Sequence, residues 1–392
     1  MDGERSGGPL RVVVAGGGVA ALELTLALRD LAGPLVQVTL VSRVDRFTFA
    51  PAAVGEPFGK TVVRSFDLFK IANDLGAELR IGTVRSVDVD RGYVVLSSGE
   101  EVSYRALVIA CGASAEEAVE GAVTFSGPRD VDAVRSVVED IRTGGASTLA
   151  FAIPTRLGWT LPIYELCLLT CQYLVAHDAV FRHSTGTPRR HPVAVSLVTP
   201  EKSPLEAFGS EISSIVRREL EDRNVSFLGA RTPIRWRAGR LETEPPDGLA
   251  VERVIALPRL GGAAISGLPT DEHHLIPTDR HGRVGDLADV YAAGDITSFP
   301  IKQGGIAAQQ AVAVAQAIAA DAGAGNTPEP FEPVLRGLLL TGDDERFLRA
   351  APTPGEPATA SSGPLWWPPG KIAARYLTAY LAQLDADPSQ RT

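Results

Sequence analysis

Three consecutive glycines near the N-terminus have the type and spacing needed to bind the phosphates of a nucleotide. They stand between a β-branched run at 12–14 and a segment at 20–28 whose apolar residues recur at helical spacing. In such a strand–turn–helix, Gly16 makes the tight turn, Gly18 lets a pyrophosphate approach the backbone, and Ala21 lets the helix pack on the strand. The phosphates then meet the N–H groups at the positive end of the helix. The predicted nucleotide site comprises Gly16, Gly17, Gly18, Val19, Ala20 and Ala21.

A second stretch that could do chemistry follows a predicted strand at 290–293. Asp295 stands at the carboxyl end of that strand, the edge where α/β sheets bind ligands, and is expected to bind a ribityl or sugar hydroxyl. The next loop leads to an alanine-rich helix predicted to begin near Ile306. A helix start aimed at an electron-rich ring stabilises negative charge on a reduced flavin, and Lys302 would add to this effect. The residues of this stretch predicted to contact the cofactor are Gly294, Asp295, Lys302, Gln303 and Gly304.

The bulk composition narrows the classes of function. The chain has 392 residues and a formal charge of −9, which predicts two or three domains and disfavours nucleic-acid binding. Three cysteines and six histidines show no disulfide-scaffold or metal-ligand spacing. We identify no signal peptide and no apolar run long enough to span a bilayer. The expectation is a cytoplasmic protein with no nucleic-acid partner and no metal.

The order of predicted strands and helices indicates an α/β fold with two Rossmann-like three-layer domains. The first domain, at 10–143 and 253–325, carries both stretches described above and is interrupted by a second, NAD-type domain at 144–252. Residues 1–9 are expected to be a disordered tail. Residues 326–392 form a C-terminal segment rich in proline and glycine, with one predicted amphipathic helix.

Four segments together resemble the FAD oxidoreductases with two dinucleotide-binding domains, the pyridine nucleotide-disulfide oxidoreductase superfamily. They are the glycine turn, RFTFAPA at 46–52, VIACGA at 108–113 and YAAGDI with KQGGIAAQQ at 291–310. Within the superfamily the chain is most similar to the sulfide:quinone oxidoreductase-like and type II NADH dehydrogenase-like proteins, over roughly 10–384. The resemblance implies FAD as the cofactor. The further FAD contacts that it implies are Ser42, Arg43, Pro51, Val84, Ala110, Cys111 and Gly112.

The sequence departs from this family pattern in both nucleotide-binding units. Ser42 and Arg43 stand where an acid normally binds a ribose, so that contact is left to the serine hydroxyl. In the second unit, the segment at 152–165 has a single glycine flanked by bulky side chains, and Thr-Pro at 199–200 replaces the acid. These features disfavour tight binding of NAD(P)H there, although Arg156 could pair with a phosphate.

The thiols depart from the pattern as well. Sulfide oxidation in the resembling branch uses a pair of thiols beside the flavin. Cys167 and Cys171 lie four residues apart on a predicted apolar helix and are expected to be buried small hydrophobes. Cys111 is the thiol that lies in the predicted cofactor site.

The catalytic candidates are Lys302, Glu165 and Cys111. Glu165 is a candidate for proton transfer near the flavin, and a carboxylate interacting with its helix dipole is the alternative.

The C-terminal stretch leaves two interpretations open. A helix predicted over 371–384 has apolar residues at helical spacing, with Trp366 and Trp367 just before it. It could touch a membrane surface and reach a quinone, as in relatives. Because only two basic residues flank it in an acidic chain, packing on the protein's own core or on a second subunit is favoured.

Three hypotheses for function follow from these observations. The first is an FAD-dependent oxidoreductase, sulfide:quinone oxidoreductase-like, that passes electrons from a small-molecule donor through FAD to a quinone or other acceptor. The second is an NAD(P)H:quinone or NAD(P)H:acceptor dehydrogenase. The third is a non-catalytic flavin-binding or regulatory protein of the same fold. A homodimer and peripheral contact with the inner face of the membrane are compatible with all three.

Overall fold

The computed structural model describes residues 8–177, 180–181, 192–342, 344–351 and 357–386. The expected N-terminal tail, apart from residues 8 and 9, and the basic stretch at 182–191 lie outside these ranges. The α-helices within them are α1 (Val19–Leu31), α2 (Leu68–Leu75), α3 (Val131–Thr143), α4 (Leu161–Ala176), α5 (Ser210–Glu221), α6 (Gly304–Asp321) and α7 (Leu377–Ala386). Short 3₁₀ turns occupy Gly33–Leu35, Ala50–Val54, Glu56–Phe58, Pro128–Asp130 and Glu206–Phe208.

The strands in the described part of the chain are short and numerous. In chain order they are β1 (Leu10–Ala15), β2 (Val36–Ser42), β3 (Arg46–Thr48), β4 (Ser65–Asp67), β5 (Glu78–Ile81), β6 (Val84–Asp88), β7 (Tyr93–Leu96), β8 (Glu101–Ser103), β9 (Ala106–Ile109), β10 (Ser114–Glu116), β11 (Val123–Thr124), β12 (Thr148–Ala152), β13 (Val180–Phe181), β14 (Pro192–Val198), β15 (Val225–Leu228), β16 (Thr232–Arg237), β17 (Arg240–Glu244), β18 (Leu249–Ala250), β19 (Arg253–Ala256), β20 (Arg259–Gly261), β21 (Val290–Ala292), β22 (Leu335–Leu340), β23 (Glu345–Ala350) and β24 (Thr359–Ser361).

The first sheet is parallel, with strand order β21-β9-β1-β2-β5, and it is covered on both faces. Along β1 successive side chains point to opposite faces. Val12 and Val14 pack in one core with helices α1, α2 and α6, whereas Val13 and Ala15 pack in another with the antiparallel sheet β6-β7-β8. This is the predicted three-layer arrangement, and the β-branched run is buried on both sides as expected.

The second parallel sheet begins earlier and ends later than the sequence predicts. Its order is β11-β19-β12-β14-β13, with β15 also paired to β14. Strand β19 lies between β11 and β12, so the chain has not yet returned to the first domain at residue 253. The sheet therefore extends past both ends of the predicted 144–252 domain. Very short strands such as β11 carry too little apolar periodicity to be recognised from the sequence.

The C-terminal segment contains more structure than the sequence predicts. An antiparallel sheet, β22-β23-β24, packs its apolar residues into the same core as α4. Helix α7 begins at Leu377, six residues later than expected. Its start coincides with a buried carboxylate, Glu23 of α1, which accepts backbone N–H groups from Arg375, Tyr376 and Leu377. Glu23 therefore accepts the free N–H groups at the start of α7 from a distant part of the chain. The sequence around 371–377 cannot reveal such a cap.

The apolar side of α7 packs on the protein itself. Leu377 and Leu381 are buried in the core that holds α1 and α6, and Tyr376, Tyr380 and Leu384 pack against its edge. This arrangement supports the favoured interpretation of the C-terminal helix. In the described residues, no helix is both long and apolar enough to cross a bilayer.

A buried ion pair ties the C-terminal segment to the second domain. Lys371 pairs with Glu165 of α4, and its Nζ also donates to the carbonyl oxygen of Leu338 at 2.9 Å. The Glu165 carboxylate accepts the Leu340 N–H at 2.9 Å as well. Burial raises the pKa of Glu165 and lowers that of Lys371, and their mutual attraction opposes both shifts. Each partner thus depends on the other to remain charged.

Breaking this pair is expected to cost far more than removing both partners. Lys371→Met leaves an unpaired buried carboxylate and should lower the free energy of unfolding by about 3–5 kcal/mol. The double variant Glu165→Gln/Lys371→Met keeps an acceptor for Leu340 and should recover most of that loss. Urea unfolding followed by circular dichroism measures both.

The matched control for this experiment is an exposed pair, Arg91 with Glu101 at 3.4 Å. Arg91→Met should change the free energy of unfolding by less than about 1 kcal/mol. If Lys371→Met is no more destabilising than Arg91→Met, the anchoring role assigned to the buried pair is wrong.

Candidate functional site

A cleft of about 530 Å³ lies at the carboxyl edge of the first sheet. The turns that follow β1, β2, β9 and β21 all contribute to it, which is the usual place for a ligand on a parallel sheet. The predicted residues that line the cleft are Gly16, Gly17, Gly18, Val19, Ala20, Ser42, Arg43, Pro51, Val84, Ala110, Cys111, Gly112, Gly294, Asp295 and Gly304. Most of the residues that the sequence predicted to contact the cofactor therefore line this cleft.

Glycine is required in this turn because neighbouring strand ends approach its backbone too closely to leave room for side chains. A Cβ on Gly16, where φ is +153°, would lie 2.2 Å from the carbonyl oxygen of Ala110. A Cβ on Gly17 would lie 2.6 Å from Oγ of Ser42. A Cβ on Gly18 would meet nothing within 4 Å, because this residue faces the open cleft. Two glycines thus bring the strands together and the third leaves room for a ligand.

The start of α1 is free to bind an anion. Gly18 is its N-cap residue and supplies no side-chain cap, and the first turn contains no acidic residue. The N–H groups of this turn therefore face the cleft at the positive end of a 13-residue helix. Ala21 does not line the cleft; it is fully buried on the inner face of α1, which agrees with its predicted packing role.

The hydroxyl at the end of β2 lines the cleft but is already engaged with the backbone. Oγ of Ser42 donates to the carbonyl oxygen of Val44 at 2.7 Å and accepts the Val44 N–H at 3.3 Å. Its donor is used and one acceptor lone pair remains, so Ser42 can only accept from a ribose hydroxyl, and that contact stays a prediction. Arg43 is exposed, lines the cleft and makes no ion pair with any described residue.

Asp295 presents a carboxylate to the cleft without a hydrogen-bond partner among the described residues. Burial raises its pKa to about 6, although the positive charge of Lys302 acts in the opposite direction. Gly294, at φ +84°, precedes it, and a Cβ there would lie 3.0 Å from Cβ of Ala20 on α1. The glycine allows α1 and the β21 turn to approach closely, and the aspartate is left free for a ligand hydroxyl.

Helix α6 begins at the cleft, two residues earlier than predicted. Oε1 of Gln303 accepts the N–H of Ile306 at 3.0 Å, and its Nε2 donates to the carbonyl oxygen of Arg336 at 2.5 Å. Gln303 is thus a helix cap and does not line the cleft. Gly304 does line it, beside Ile372 of the C-terminal segment.

Lys302 lies behind the cleft wall. Its Nζ donates to the carbonyl oxygen of Thr297, and its side chain lines a smaller neighbouring cavity of about 180 Å³. Burial lowers its pKa to about 8, and Asp295 opposes this shift. The structure thus brings Lys302 within electrostatic reach of Asp295 but not into the cleft lining.

The other two catalytic candidates are less well placed. Cys111 lines the cleft beside the glycine turn, and burial raises the pKa of its thiol to about 11, so it is protonated at neutral pH. Glu165 lines none of the cavities described and is paired with Lys371, so its position does not support the predicted proton transfer. Cys167 and Cys171 are fully buried, as expected.

The corresponding loop of the second sheet is occupied by the protein's own side chains. Arg156 donates to Glu206 at 3.0 Å and to the carbonyl oxygen of Pro200 at 2.5 Å. Glu201, which the sequence analysis did not single out, accepts the hydroxyl of Tyr164 at 2.6 Å and that of Thr160 at 3.2 Å. The groups that could bind phosphate and ribose in this loop are therefore already bonded.

Several residues of the main cleft were not found from the sequence. Ala263 and Ile265 come from an irregular segment, and Ile372 comes from the C-terminal segment. Irregular and distant segments carry no periodic signal that predicts such a position. The remaining unpredicted lining residues are Ala15, Val41, Val44, Arg46, Phe47, Thr48, Ala50, Gly82, Thr83, Ala113, Ser114, Ala293 and Ala307.

The residues of the cleft fit FAD. The open position at Gly18 and the uncapped start of α1 suit its pyrophosphate, and the unpartnered Asp295 carboxylate suits one of its hydroxyls. The described residues include no cluster that could hold a metal ion.

Comparisons with known proteins agree with this geometry. Residues 3–123 match the family model described as "Pyridine nucleotide-disulphide oxidoreductase". The chain is 25% identical over 239 residues to peroxisomal monodehydroascorbate reductase 1 of Oryza sativa subsp. japonica, covering 59% of this chain and 46% of that protein. It is 24% identical over 378 residues to the sulfide-quinone reductase of Aquifex aeolicus, covering 87% and 83% of the two chains.

The fold is shared with a solved structure over nearly its full length. The sulfide:quinone oxidoreductase of Aquifex aeolicus superposes with a TM-score of 0.80 at 20% identity, covering 96% of this chain and 91% of that one. The comparisons confirm the predicted α/β fold, the superfamily resemblance and FAD as the type of cofactor. The match to the rice reductase spans about half of that protein's length.

Removing the Asp295 carboxylate is expected to weaken FAD binding. A hydrogen bond to a charged group contributes about 1.5–3 kcal/mol, so Asp295→Asn should raise the dissociation constant about tenfold or more. Titration of the apoprotein with FAD, followed by flavin fluorescence, measures it. The exposed Asp90→Asn variant is the control and should bind like the parent protein.

The same interaction predicts a pH dependence. The ionised carboxylate accepts a charge-assisted hydrogen bond from a ligand hydroxyl, and protonation removes that charge, so affinity should fall as pH is lowered through about 6. Asp295→Asn should lack this dependence between pH 5 and 7.5. Equal slopes in the two proteins would contradict the assignment of Asp295 as a cofactor ligand.

Proposed function

We propose that this protein is an FAD-dependent oxidoreductase that takes electrons from a small donor and passes them to a quinone or another acceptor. The observation that carries the proposal is the contrast between the two parallel sheets. The glycine turn of the first sheet opens onto a cleft of about 530 Å³. The equivalent loop of the second sheet lines a cavity of only about 180 Å³, and its Arg156 is already bonded to Glu206 and Pro200. Among the residues that the structure describes, one dinucleotide site is open, and FAD would bind there.

The protein's contribution is to hold and polarise the cofactor. FAD supplies the electron transfer, which no side chain can perform alone. The N–H groups at the start of α1 bind the pyrophosphate, and Asp295 orients the cofactor through a hydroxyl. The N-terminus of α6, held in place by the Gln303 cap, directs its positive end toward the cleft at Gly304.

The proposal excludes a nicotinamide dinucleotide as the physiological donor. To bind a pyrophosphate at the second loop, Arg156 would have to leave Glu206 and Pro200, and bulky Leu157 and Trp159 stand where glycines would be needed. Trp159 is itself packed on Phe208, with ring centroids 5.6 Å apart. A smaller donor does not require this loop to open.

The smaller cavity beside Lys302 is the proposed entry for that donor. It holds about 180 Å³, and most of its lining is apolar, including Phe125, Trp159 and Leu260. Lys302 contributes a charged group to this wall. With a pKa of about 8, its amine can hold a proton near neutral pH and stabilise negative charge that develops during flavin reduction.

A thiol relay is not part of the proposal. Cys111 lies beside the glycine turn, where FAD would place its pyrophosphate, and its thiol is protonated at neutral pH. The donor therefore differs from one that needs a pair of reactive thiols. A quinone as acceptor is supported by the similarity to the sulfide-quinone reductase of Aquifex aeolicus, whose fold this chain shares.

Anaerobic stopped-flow absorbance near 450 nm tests the choice of donor. The flavin-loaded protein is mixed separately with NADH, NADPH and sulfide, and then the reduced protein is mixed with decylubiquinone. We expect no saturable bleaching by either nicotinamide, because the second loop has neither the glycines nor the space that a pyrophosphate needs. We also expect rapid reoxidation of the reduced flavin by the quinone.

Each outcome of this experiment has a definite meaning. Fast, saturable bleaching by NADH or NADPH would overturn the proposal in favour of a nicotinamide-dependent dehydrogenase. Bleaching by sulfide would identify the donor and require a route without a thiol pair. Failure of the reduced flavin to pass electrons to decylubiquinone or ferricyanide would favour the non-catalytic flavin-binding protein.

Substitution of Lys302 tests its electrostatic role. Lys302→Gln should lower the flavin midpoint potential at pH 7, because a positive charge that favours the reduced, anionic flavin is lost. The difference should diminish above pH 8 to 9, where Lys302 loses its own charge. Dye-coupled reductive titration measures the potential, and Lys60→Gln, at an exposed site, is the control. A pH-independent difference would contradict this role.

A further inference from the structure

The cavity of about 180 Å³ beside Lys302 is built by loops from both parallel sheets. The segments that follow β11, β12 and β19 of the second sheet line it, together with Lys302 from the loop after β21 of the first. Backbone hydrogen bonds join these loops, from the Gly158 N–H to the carbonyl oxygen of Pro300 at 2.9 Å and from the Lys302 N–H to that of Gly158 at 3.4 Å. The cavity thus lies at the carboxyl ends of parallel strands, where α/β sheets bind ligands.

Lys302 is the one charged side chain among the described residues that line this cavity. It is only 4% exposed, and one N–H of its ammonium group donates to the carbonyl oxygen of Thr297. It makes no ion pair with a described residue. Asp295 attracts it from the FAD cleft but does not line this cavity. The buried ammonium group therefore keeps two N–H donors for a ligand.

No carboxylate lines the cavity within the part of the chain that the structure describes. Behind the wall, Asp130 accepts the Ser126 hydroxyl at 2.6 Å. Glu201 accepts the Thr160 hydroxyl at 3.2 Å. The Thr155 hydroxyl accepts a backbone N–H at 3.1 Å, and its own proton has no acceptor among the described residues. The wall thus offers one positive charge and a free hydroxyl donor, with no negative charge to compete for them.

The rest of the wall is apolar. Its larger side chains are Phe125, Ile153, Leu157, Trp159, Leu257 and Leu260. Trp159 is fixed by packing on Phe208, with ring centroids 5.6 Å apart. Three prolines, Pro154, Pro162 and Pro258, also contribute to the lining. An uncompensated charge on the body of a ligand would be costly against such a wall.

The volume of the cavity limits the size of the ligand. Pockets for drug-sized molecules hold about 300–1,000 Å³. A cavity of about 180 Å³ therefore suits a body of about one ring. The hydrosulfide ion has a single non-hydrogen atom and would leave most of the apolar wall without contacts.

We propose that this cavity binds a small organic monoanion with an apolar body, and that the electron donor belongs to this class. The inference rests on the proposed function, which makes the cavity the entry for the donor. One negative charge matches the single ammonium group, whereas a second would stay unpaired in an apolar cavity. Loss of two electrons and one proton turns such a monoanion into a neutral product, and the flavin takes up all three and with them the negative charge. Lys302 thus balances one negative charge before and after the transfer.

Calorimetric titration of the oxidised, flavin-loaded protein with benzoate tests the proposal. Benzamide has nearly the same shape without the charge, and acetate has the charge without the ring. We expect one benzoate site per chain, with benzamide and acetate each bound about tenfold or more weakly, because each lacks one of the two matching features. Benzoate should also shift the flavin absorbance near 450 nm, since the cavity adjoins the FAD cleft.

Two variants separate the charge from the shape of the cavity. Lys302→Gln should lower the affinity for benzoate about tenfold or more and leave that for benzamide nearly unchanged, a selectivity that a purely structural lysine would not produce. Leu260→Trp should fill the cavity and weaken both ligands while the flavin content is unchanged. Lys60→Gln, at an exposed site, is the control and should bind benzoate like the parent protein.

Three results would overturn the inference. They are no benzoate binding in the parent protein, equal affinities for benzoate and benzamide, and benzoate binding that persists in both Lys302→Gln and Leu260→Trp. Binding without a change in flavin absorbance would contradict the assignment of the site to the donor. These measurements involve no electron transfer, so their failure is distinct from a failure of the proposed function, which the stopped-flow experiment tests.

Discussion

The close approach of β1 and β9 at the glycine turn is the constraint on which the rest of the structure depends. The positions of Gly16 and Gly17 have no room for a Cβ, because Ala110 and Ser42 occupy that space. Their approach leaves the start of α1 uncapped and directed at the cleft. The fold accepts a helix end without internal partners because a phosphate can satisfy it. Packing and cofactor binding therefore impose the same residue types at this turn.

The C-terminal segment completes the cleft, and two buried carboxylates from different parts of the chain hold it there. Glu23 of the first domain binds the start of α7, and Glu165 of the second pairs with Lys371. Ile372, between these anchors, packs against Gly304 at the start of α6. Burying carboxylates is costly unless they are bonded, and each of these two accepts hydrogen bonds from the C-terminal segment. The C-terminal segment is thus bonded to both domains on either side of Ile372, the residue by which it contacts the cleft.

The parts of this architecture that could be predicted from the sequence are those that depend on local pattern. The glycine turn, the β-branched strands and Asp295 follow from spacing and residue type, and each lies where expected. The antiparallel sheet near the C-terminus and the cleft contact of Ile372 depend on tertiary packing, which has no local signature. Glu165 shows the converse: its residue type suited a functional role, but Lys371, from a distant part of the chain, pairs with it.

The most direct test of the account is the identity and amount of flavin bound to the purified protein. Flavin released by heat should be one FAD per chain, and apoprotein should take up FAD but not FMN, because the uncapped α1 turn binds the pyrophosphate that FMN lacks. An absorbance peak near 450 nm should return with FAD alone. A protein that contains no flavin and binds none when FAD is added would contradict the central claim, and equal uptake of FMN would contradict the role of the glycine turn.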